Sequence, residues 1–437
     1  MLAFNKKTKK LYYRVMARYN VVWSFSGIVL SILCCFKSLP KNVDYLFLCH
    51  DVHRNAKKNG RFYAPLIDPI IEELNQNYRC VTLVTPFSKH YGDKCFGDVR
   101  MHNFVILIAL LKRLLLKTFS LSYCIEDDPL VLAYQGLLNK MGPKLVIGIQ
   151  PSIEFCIAAK KIGIPVCDMQ HGLISDLNYY SLLKRQKNNQ KGWPDHVLCW
   201  DQESVMRVNR ITKGHTSPIV VGNPSYHSNY GAELHEAGST DSQQRKRKFS
   251  MEILITGTYN NYGAILEDKG YQNVGISTQL INLIKKSPHI FWRIRLHPVL
   301  VRFKFDSVSA LLRNEFKNCE NVDWMHYSKV SLGNAFNRCS GHITVESASA
   351  LDAAQNSIPT LLIGCPGSSD EEKAIMYFGE YIKSGIMKFI DAPDFSLDQL
   401  DFFVDYTPNN YINVNASQNF SKFIEIIRQN ISLKVVD

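Results

Sequence analysis

The sequence predicts an α/β protein built as two α/β layers facing each other across a central cleft. Three observations predict it. Short apolar runs recur, each closed by a polar or glycine-bearing turn and followed by a helix-period stretch, as in parallel sheets buried on both faces. The chain has 437 residues, more than one ordinary core accommodates. His227 to Ser250 (HSNYGAELHEAGSTDSQQRKRKFS) is polar and nearly free of apolar periodicity, so it reads as a linker between two such layers.

Residues 1–40 read as an arm, basic at Lys6, Lys7, Lys9, Lys10, Arg14 and Arg18, then apolar from Val21 to Phe36. Those 16 residues fall short of the roughly 20 needed to span a bilayer. No A-x-A-like cleavage site follows them, so the pattern favours a helix lying in an anionic membrane interface, the alternative being an ordinary first core helix with a solvated basic end. The first domain is expected over 41–226. It opens with a strand at Tyr45–Cys49 and the polar loop His50 to Arg54, then a helix from Ala64 to Leu74 and a strand at Cys80–Val84. Met101 to Phe119 is a long helix, apolar nearly all round apart from Lys112, Arg113 and Lys117; it reads equally as a core helix or a second membrane-facing surface. Strands at Lys144–Ile149 and Pro165–Met169 flank a helix at Ser152–Lys161, and the second strand runs into Gln170-His171-Gly172. Further strands are read at His196–Cys199 and Ile219–Val221. After the linker at 227–250, a second domain is expected over 251–390. It holds strands at Glu252–Thr256 and Phe291–Pro298, helices at Ser277–Lys286 and Ser307–Phe316, and a strand end at Val322-Asp323-Trp324. Residues 391–437 form a tail whose final helix, about Ser417 to Gln429, packs back on the first domain.

Composition narrows the partners. A net charge of +12 implies an anionic one: nucleic acid, membrane phospholipid or a phosphate-bearing substrate. No zinc finger, RNP-like aromatic motif or basic zipper is present, which ranks nucleic acid last. The 12 cysteines show no C-x-x-C motif and no metal-ligand spacing, so they read as reduced, buried thiols.

The chemistry is read at Gly341–Gly364 (GHITVESASALDAAQNSIPTLLIG), a compact strand, turn, helix and strand. Ser347 or Ser349 would cap the helix, and free backbone N–H groups in the turn would favour phosphate. Phe291–Pro298 (FWRIRLHP) brings Arg293, Arg295 and His297 to a strand end, closed by a chain-breaking Pro298. In one parallel sheet, His297 and the serine turn share the carboxyl edge, where open α/β sheets bind ligands.

Taken together, Gln170-His171-Gly172, Val221-Gly222-Asn223-Pro224, Leu296-His297-Pro298 and Glu346-Ser347-Ala348-Ser349 resemble the GT-B-type glycosyltransferases of bacterial surface polysaccharides, over roughly residues 41–390. The HP and S-x-S pairing is similar to that of the sialyl-, Kdo- and CDP-glycerol-type transferases. The resemblance implies two Rossmann-like domains facing a central cleft, nucleotide-sugar on the C-terminal one, acceptor on the N-terminal one, and no obligatory metal or other cofactor. No D-x-D triplet is present; Glu126-Asp127-Asp128 reads as a loop or helix start before Pro129. One departure is that Gln170 directly precedes His171, whereas CDP-glycerol enzymes carry residues between them, which favours sugar transfer over glycerophosphate transfer.

The expected reaction is transfer of a glycosyl group from a nucleotide-sugar to a lipid-linked saccharide, in O-antigen or capsule synthesis, by a peripheral protein of the cytoplasmic face of the inner membrane. His297 would give the leaving phosphate a hydrogen bond or a charge, and Ser347 and Ser349 would hold its oxygens. Arg295 would assist, Glu346 would accept from ribose hydroxyls, Thr256-Gly257-Thr258 would bring backbone to the donor, and His326 would border the base. Asp168 or His171 would act as general base toward the acceptor, with His53 (beside Asp51) and Glu154 as further candidates and Gln170 and Gly172 at the acceptor side. His50, His90 and His342 are read as packing or solvent residues. The alternatives are a CDP-glycerol-type polyol-phosphate transferase, a nucleotide-sugar 2-epimerase, and a non-catalytic assembly protein with a GT-B shell. The sequence leaves the oligomeric state open.

Overall fold

The computed structural model describes residues 39–54, 56–84, 88, 92–101, 103–119, 124–174, 192–226, 248–257, 276–330, 332–345, 347–364, 370–391, 396–406 and 416–428. The basic and apolar arm, the Tyr/Asn- and Lys/Asn-rich loops, most of the linker, Thr258, Glu346 and His90 lie outside them. Two compact units emerge, one of Met1–Tyr230 with Ser417–Asp437, the other of Gly231–Ala416.

In the first unit the strands are β1 (Tyr45–Cys49), β2 (Ala56–Lys58), β3 (Arg61–Tyr63), β4 (Cys80–Val84), β5 (Val99–Arg100), β6 (Leu145–Gly148), β7 (Val166–Met169), β8 (His196–Cys199) and β9 (Ser217–Val220). Seven form one sheet in the order β5-β4-β1-β6-β7-β8-β9, with every pairing parallel. The strand order reverses between β1 and β6. The remaining pair, β2 and β3, is an antiparallel hairpin around Asn59-Gly60, both residues at positive φ as a two-residue turn of the I′ kind requires.

The second unit holds β10 (Met251–Thr256), β11 (Ile290–Arg295), β12 (Val322–Asp323), β13 (Gly341–Thr344), β14 (Thr360–Gly364) and β15 (Met387–Asp391). They form a parallel sheet in the order β12-β11-β10-β13-β14-β15, reversing between β10 and β13. Both units are Rossmann-like: the central strands are buried apolar runs, and helices cover the sheet. Trp292, Ile294, Ile343 and Leu361 centre the second core.

Several local expectations shift. The helix expected from Ala64 begins at Asp68, because the Asp68 carboxylate accepts the Ala64 N–H at 2.7 Å and holds residues 64–67 as a turn. Pro298, expected to end the chain's regular structure, is instead the first residue of a helix, Pro298–Phe303, where its missing N–H costs nothing. Asp128 caps the helix Pro129–Met141 by accepting from the Leu130 N–H at 2.8 Å. The helix Ala416–Arg428 returns to the first unit, placing Phe420, Phe423, Ile424 and Ile427 in the core with Tyr45, Ile70 and Ile71. Tyr45 and Tyr78 lock it by donating to the carbonyls of Ile427 and Arg428, each at 2.8 Å.

The helix Asn103–Thr118 buries Ile106 and Ala109 against Leu130, Leu137 and Leu39. Its other face is apolar and open: Leu111 is 52% exposed, Leu114 60% and Leu115 56%, followed by Phe119. Among the described residues no helix is long and apolar enough to cross a membrane.

Candidate functional site

Each sheet carries its chemistry at the carboxyl edge, beside the point where the strand order reverses. The second unit is the more organised. Thr256 ends β10, Thr344 ends β13, and Gly257 continues the ladder by donating its N–H to the Arg295 carbonyl at 2.9 Å. A small pocket opens here, lined by Thr256, Thr344 and Val345 and by Ile276, Ser277 and Leu280 at the start of the helix Thr278–Lys286.

The expected helix cap at the serine turn takes a different form. Ser349 is the first residue of a short helix, Ser349–Gln355, and no side chain caps it. Instead Ser347 Oγ accepts from the Ser349 N–H at 3.3 Å and from Ser349 Oγ at 2.9 Å. Ser349 Oγ lies 2.7 Å from Thr256 Oγ1, which is also 2.9 Å from Thr344 Oγ1 and 2.9 Å from Nε2 of His342. His342 Nδ1 faces Thr360 Oγ1 at 3.1 Å. A buried polar chain thus runs from Thr360 in β14 through His342, Thr256 and Ser349 to half-exposed Ser347. Full burial pushes His342 down to a pKa of about 3, so its ring is neutral. This residue, read from sequence as a packing or solvent residue, is a buried member of the hydroxyl chain. The parallel register holds a signal for it: His342 sits opposite Thr360 and Thr256 opposite Thr344, four polar residues in buried strands.

The other second-unit candidates lie on or just after β11 and in the loop after β12. His297 follows β11, and its carbonyl accepts from the Leu300 and Val301 N–H groups. Burial lowers its pKa, favouring a hydrogen bond over a charge as its contribution. Arg295 donates to the carbonyls of Tyr327, at 2.8 Å, and Val330, so its guanidinium braces the loop after β12. Arg293 pairs with Glu252. His326 is exposed in that loop, its N–H bonded to Asp323 Oδ1 at 3.0 Å and its ring edge-on to Tyr327.

In the first unit, three imidazoles gather at the strand-order reversal: His50 and His53 after β1, and His171 after β7. The His53 and His171 rings lie 5.4 Å apart edge-to-face, and those of His50 and His53 6.1 Å apart. Desolvation, then repulsion from His171 and His50, pushes His53 down to about 3. Desolvation, then His50, brings His171 down to about 4, and burial lowers His50. All three are therefore neutral at pH 7, each ring with one acceptor nitrogen. Among the described residues, no group of His, Cys, Asp or Glu is arranged to hold a metal ion.

The acidic candidates and the glutamine of this unit are engaged by other groups of the chain. Asp168 is fully buried, and its Oδ1 accepts from the Gln150 N–H at 2.9 Å, fixing a residue in the left-handed region after β6. Gln170 is also fully buried; it donates to the Gly172 carbonyl at 2.9 Å and accepts from the Trp200 N–H at 2.8 Å. It thereby shapes the turn that presents His171. Glu154 pairs with Arg113 at 3.2 Å, and Arg113 also reaches Asp128 at 3.0 Å.

No protein-family model matches the chain, and no curated protein matches it. Solved structures are similar. The MnaA–UDP structure from S. aureus matches with a TM-score of 0.55 at 13% identity, covering 90% of this chain and 99% of that one. UDP-GlcNAc 2-epimerase from Neisseria meningitidis, bound to UDP-GlcNAc, matches with a TM-score of 0.52 at 14% identity, covering 88% and 100%. A looser likeness, too loose to argue from, is the wall teichoic acid polymerase TagF, with a TM-score of 0.49, 13% identity and 98% of each chain covered. At these identities the likeness shows the fold, two Rossmann-like units of the GT-B type.

Proposed function

We propose that this chain is a nucleotide-sugar-dependent glycosyltransferase that passes a sugar to a lipid-linked saccharide acceptor in bacterial surface-polysaccharide synthesis. The observation that carries the reading is the serine turn, with its hydroxyl chain, at the carboxyl edge of the second sheet where the strand order reverses. The nucleotide diphosphate lies at this edge, with the Ser347 hydroxyl and the His297 imidazole donating to its oxygens as negative charge develops on the leaving phosphate. Thr256-Gly257-Thr258 brings backbone to the donor, Glu346 accepts from its ribose, and His326 borders its base.

In the first unit, His171 is the general base, with His53 beside it. Gln170 and Gly172 position His171, the buried Gln170 amide bonding to the Gly172 carbonyl, while Asp168 holds the turn after β6 at Gln150. A base of pKa about 4 is neutral at pH 7 and accepts from an acceptor hydroxyl as that oxygen attacks the sugar. No metal enters this scheme. The open apolar face of Asn103–Thr118 meets an anionic lipid surface.

Thermal shift with UDP-, GDP-, CMP- and CDP-compounds tests the reading, followed by turnover of the preferred sugar donor with a lipid-linked acceptor. Stabilisation by one nucleotide class and acceptor-dependent release of that nucleotide are expected; no shift with any compound overturns the reading. A second reading, a nucleotide-sugar 2-epimerase, is favoured by the fold likeness to UDP-GlcNAc 2-epimerase. It predicts conversion of UDP-GlcNAc to its 2-epimer with no acceptor present.

A further inference from the structure

Counting hydrogens along the buried chain shows which way it runs. Thr360 is fully buried, and among the described residues the partner of its hydroxyl is His342 Nδ1. A buried hydroxyl hydrogen left without an acceptor is costly, so Thr360 donates and Nδ1 accepts. A neutral imidazole has a single N–H, which is then on Nε2 and is donated to Thr256 Oγ1. Thr256 therefore keeps its own hydrogen, which the 2.7 Å contact to Ser349 takes ahead of the 2.9 Å one to Thr344, and Thr344 gives its own hydrogen to the Thr256 carbonyl at 3.0 Å. Ser349 then gives its hydrogen to Ser347, whose oxygen also receives the Ser349 N–H. The Ser347 hydrogen is left over, with no acceptor in this run of hydroxyls among the described residues. With the other tautomer every arrow reverses: Thr256 would donate to His342, Ser349 to Thr256 and Ser347 to Ser349. Ser347 would then offer a phosphate only lone pairs.

We propose that His342 is a positioning residue for phosphate binding: held by Thr360 as its Nε2–H tautomer, it acts through Thr256 and Ser349 to turn the Ser347 hydroxyl outward as a donor to a phosphate oxygen. Ser349 is thus a link in the chain rather than a ligand. The inference rests on the nucleotide-sugar reading and adds a residue to it that touches no substrate.

The test uses the full chain and compares dissociation constants for UDP and CDP with those for uridine and cytidine, taking the pair that binds the wild type more tightly. Ser347→Ala is expected to weaken the diphosphate about tenfold or more, the scale of one hydrogen bond to a charged group, and to leave the nucleoside unchanged. Thr360→Val, which keeps the shape and frees the tautomer, is expected to weaken the diphosphate several-fold with the nucleoside unchanged. Combined with Ser347→Ala it is expected to add nothing, because both act on one bond. A role confined to stability would move nucleoside and diphosphate together, and the two losses would multiply. Nitrogen-15 spectra of the wild-type histidines give a readout independent of any variant, with His342 expected as Nε2–H. An Nδ1–H ring, or a Thr360→Val chain that binds the diphosphate as wild type does, overturns the inference and leaves the nucleotide reading standing. A wild type that binds no nucleotide removes both.

Discussion

The buried imidazole of His342 makes stability depend on pH in a way that can be isolated by one substitution. In the native state its pKa is about 3. In the unfolded chain it is about 6.5. Between those values the unfolded state binds the extra proton, so this residue's contribution to stability falls as pH drops through 6.5. Protonation of the unfolded imidazole favours unfolding by less than about 0.1 kcal/mol at pH 7.5, about 0.8 at pH 6.0 and about 2 at pH 5.0. His342→Gln keeps a donor and an acceptor but cannot titrate. Its stability at pH 7.5 sets an offset, and the difference from wild type should shift by about 2 kcal/mol in the variant's favour by pH 5.0. Urea unfolding at the three pH values, with m-values checked for constancy, measures it. His53 and His171 carry the same sign but cancel in the difference. A wild-type-minus-variant difference that stays level from pH 7.5 to 5.0 would refute the reasoning, because the ring would then be solvated or charged in the native state.

Other outcomes follow from packing and charge. Arg54 and Asp68 are a fully buried pair at 3.3 Å, so Arg54→Leu should cost about 3–5 kcal/mol in chemical denaturation by stranding the carboxylate. Gly341→Ala would set a Cβ 2.4 Å from the Phe403 ring, and a loss of about 1–3 kcal/mol is expected, shrinking in a Phe403→Leu background. Leu111→Glu with Leu114→Glu should abolish co-sedimentation with phosphatidylglycerol vesicles while moving stability by no more than about 0.5 kcal/mol per site; unchanged sedimentation would remove the lipid-facing role of that helix.

The central strands were legible because a parallel strand buried on both faces is a continuous apolar run: Tyr45–Cys49, Cys80–Val84 and Phe291–Arg295 stand out for that reason. Edge elements were harder to read. Met387–Asp391 interleaves Lys388 and Asp391 with its apolar residues, so the run is broken where one face is exposed. The hairpin at Asn59-Gly60 carried a strong turn signal, but its strands are three residues each. In the site, motif reading located Ser347, His297 and His171 at strand ends. It could not distinguish residues that touch a ligand from those that hold the turn, because that depends on where each polar atom is spent. Gln170, Asp168, Glu154 and Arg295 look like ligands by type, and each bonds to backbone groups or to another side chain of this chain. His342 lacked any motif, and only strand register sets it beside Thr256 and Thr360.

Phe420, Phe423, Ile424 and Ile427 are translated after the entire second unit, yet they belong to the hydrophobic interior of the first. During synthesis, domains generally mature in the order they emerge. Here a nascent chain exposed through residue 230 has its seven-stranded sheet available but lacks the aromatic side chains that seal one side of it. Final closure of the earlier-made half therefore waits for a segment made after the second unit, and the later-made half can reach its finished state first.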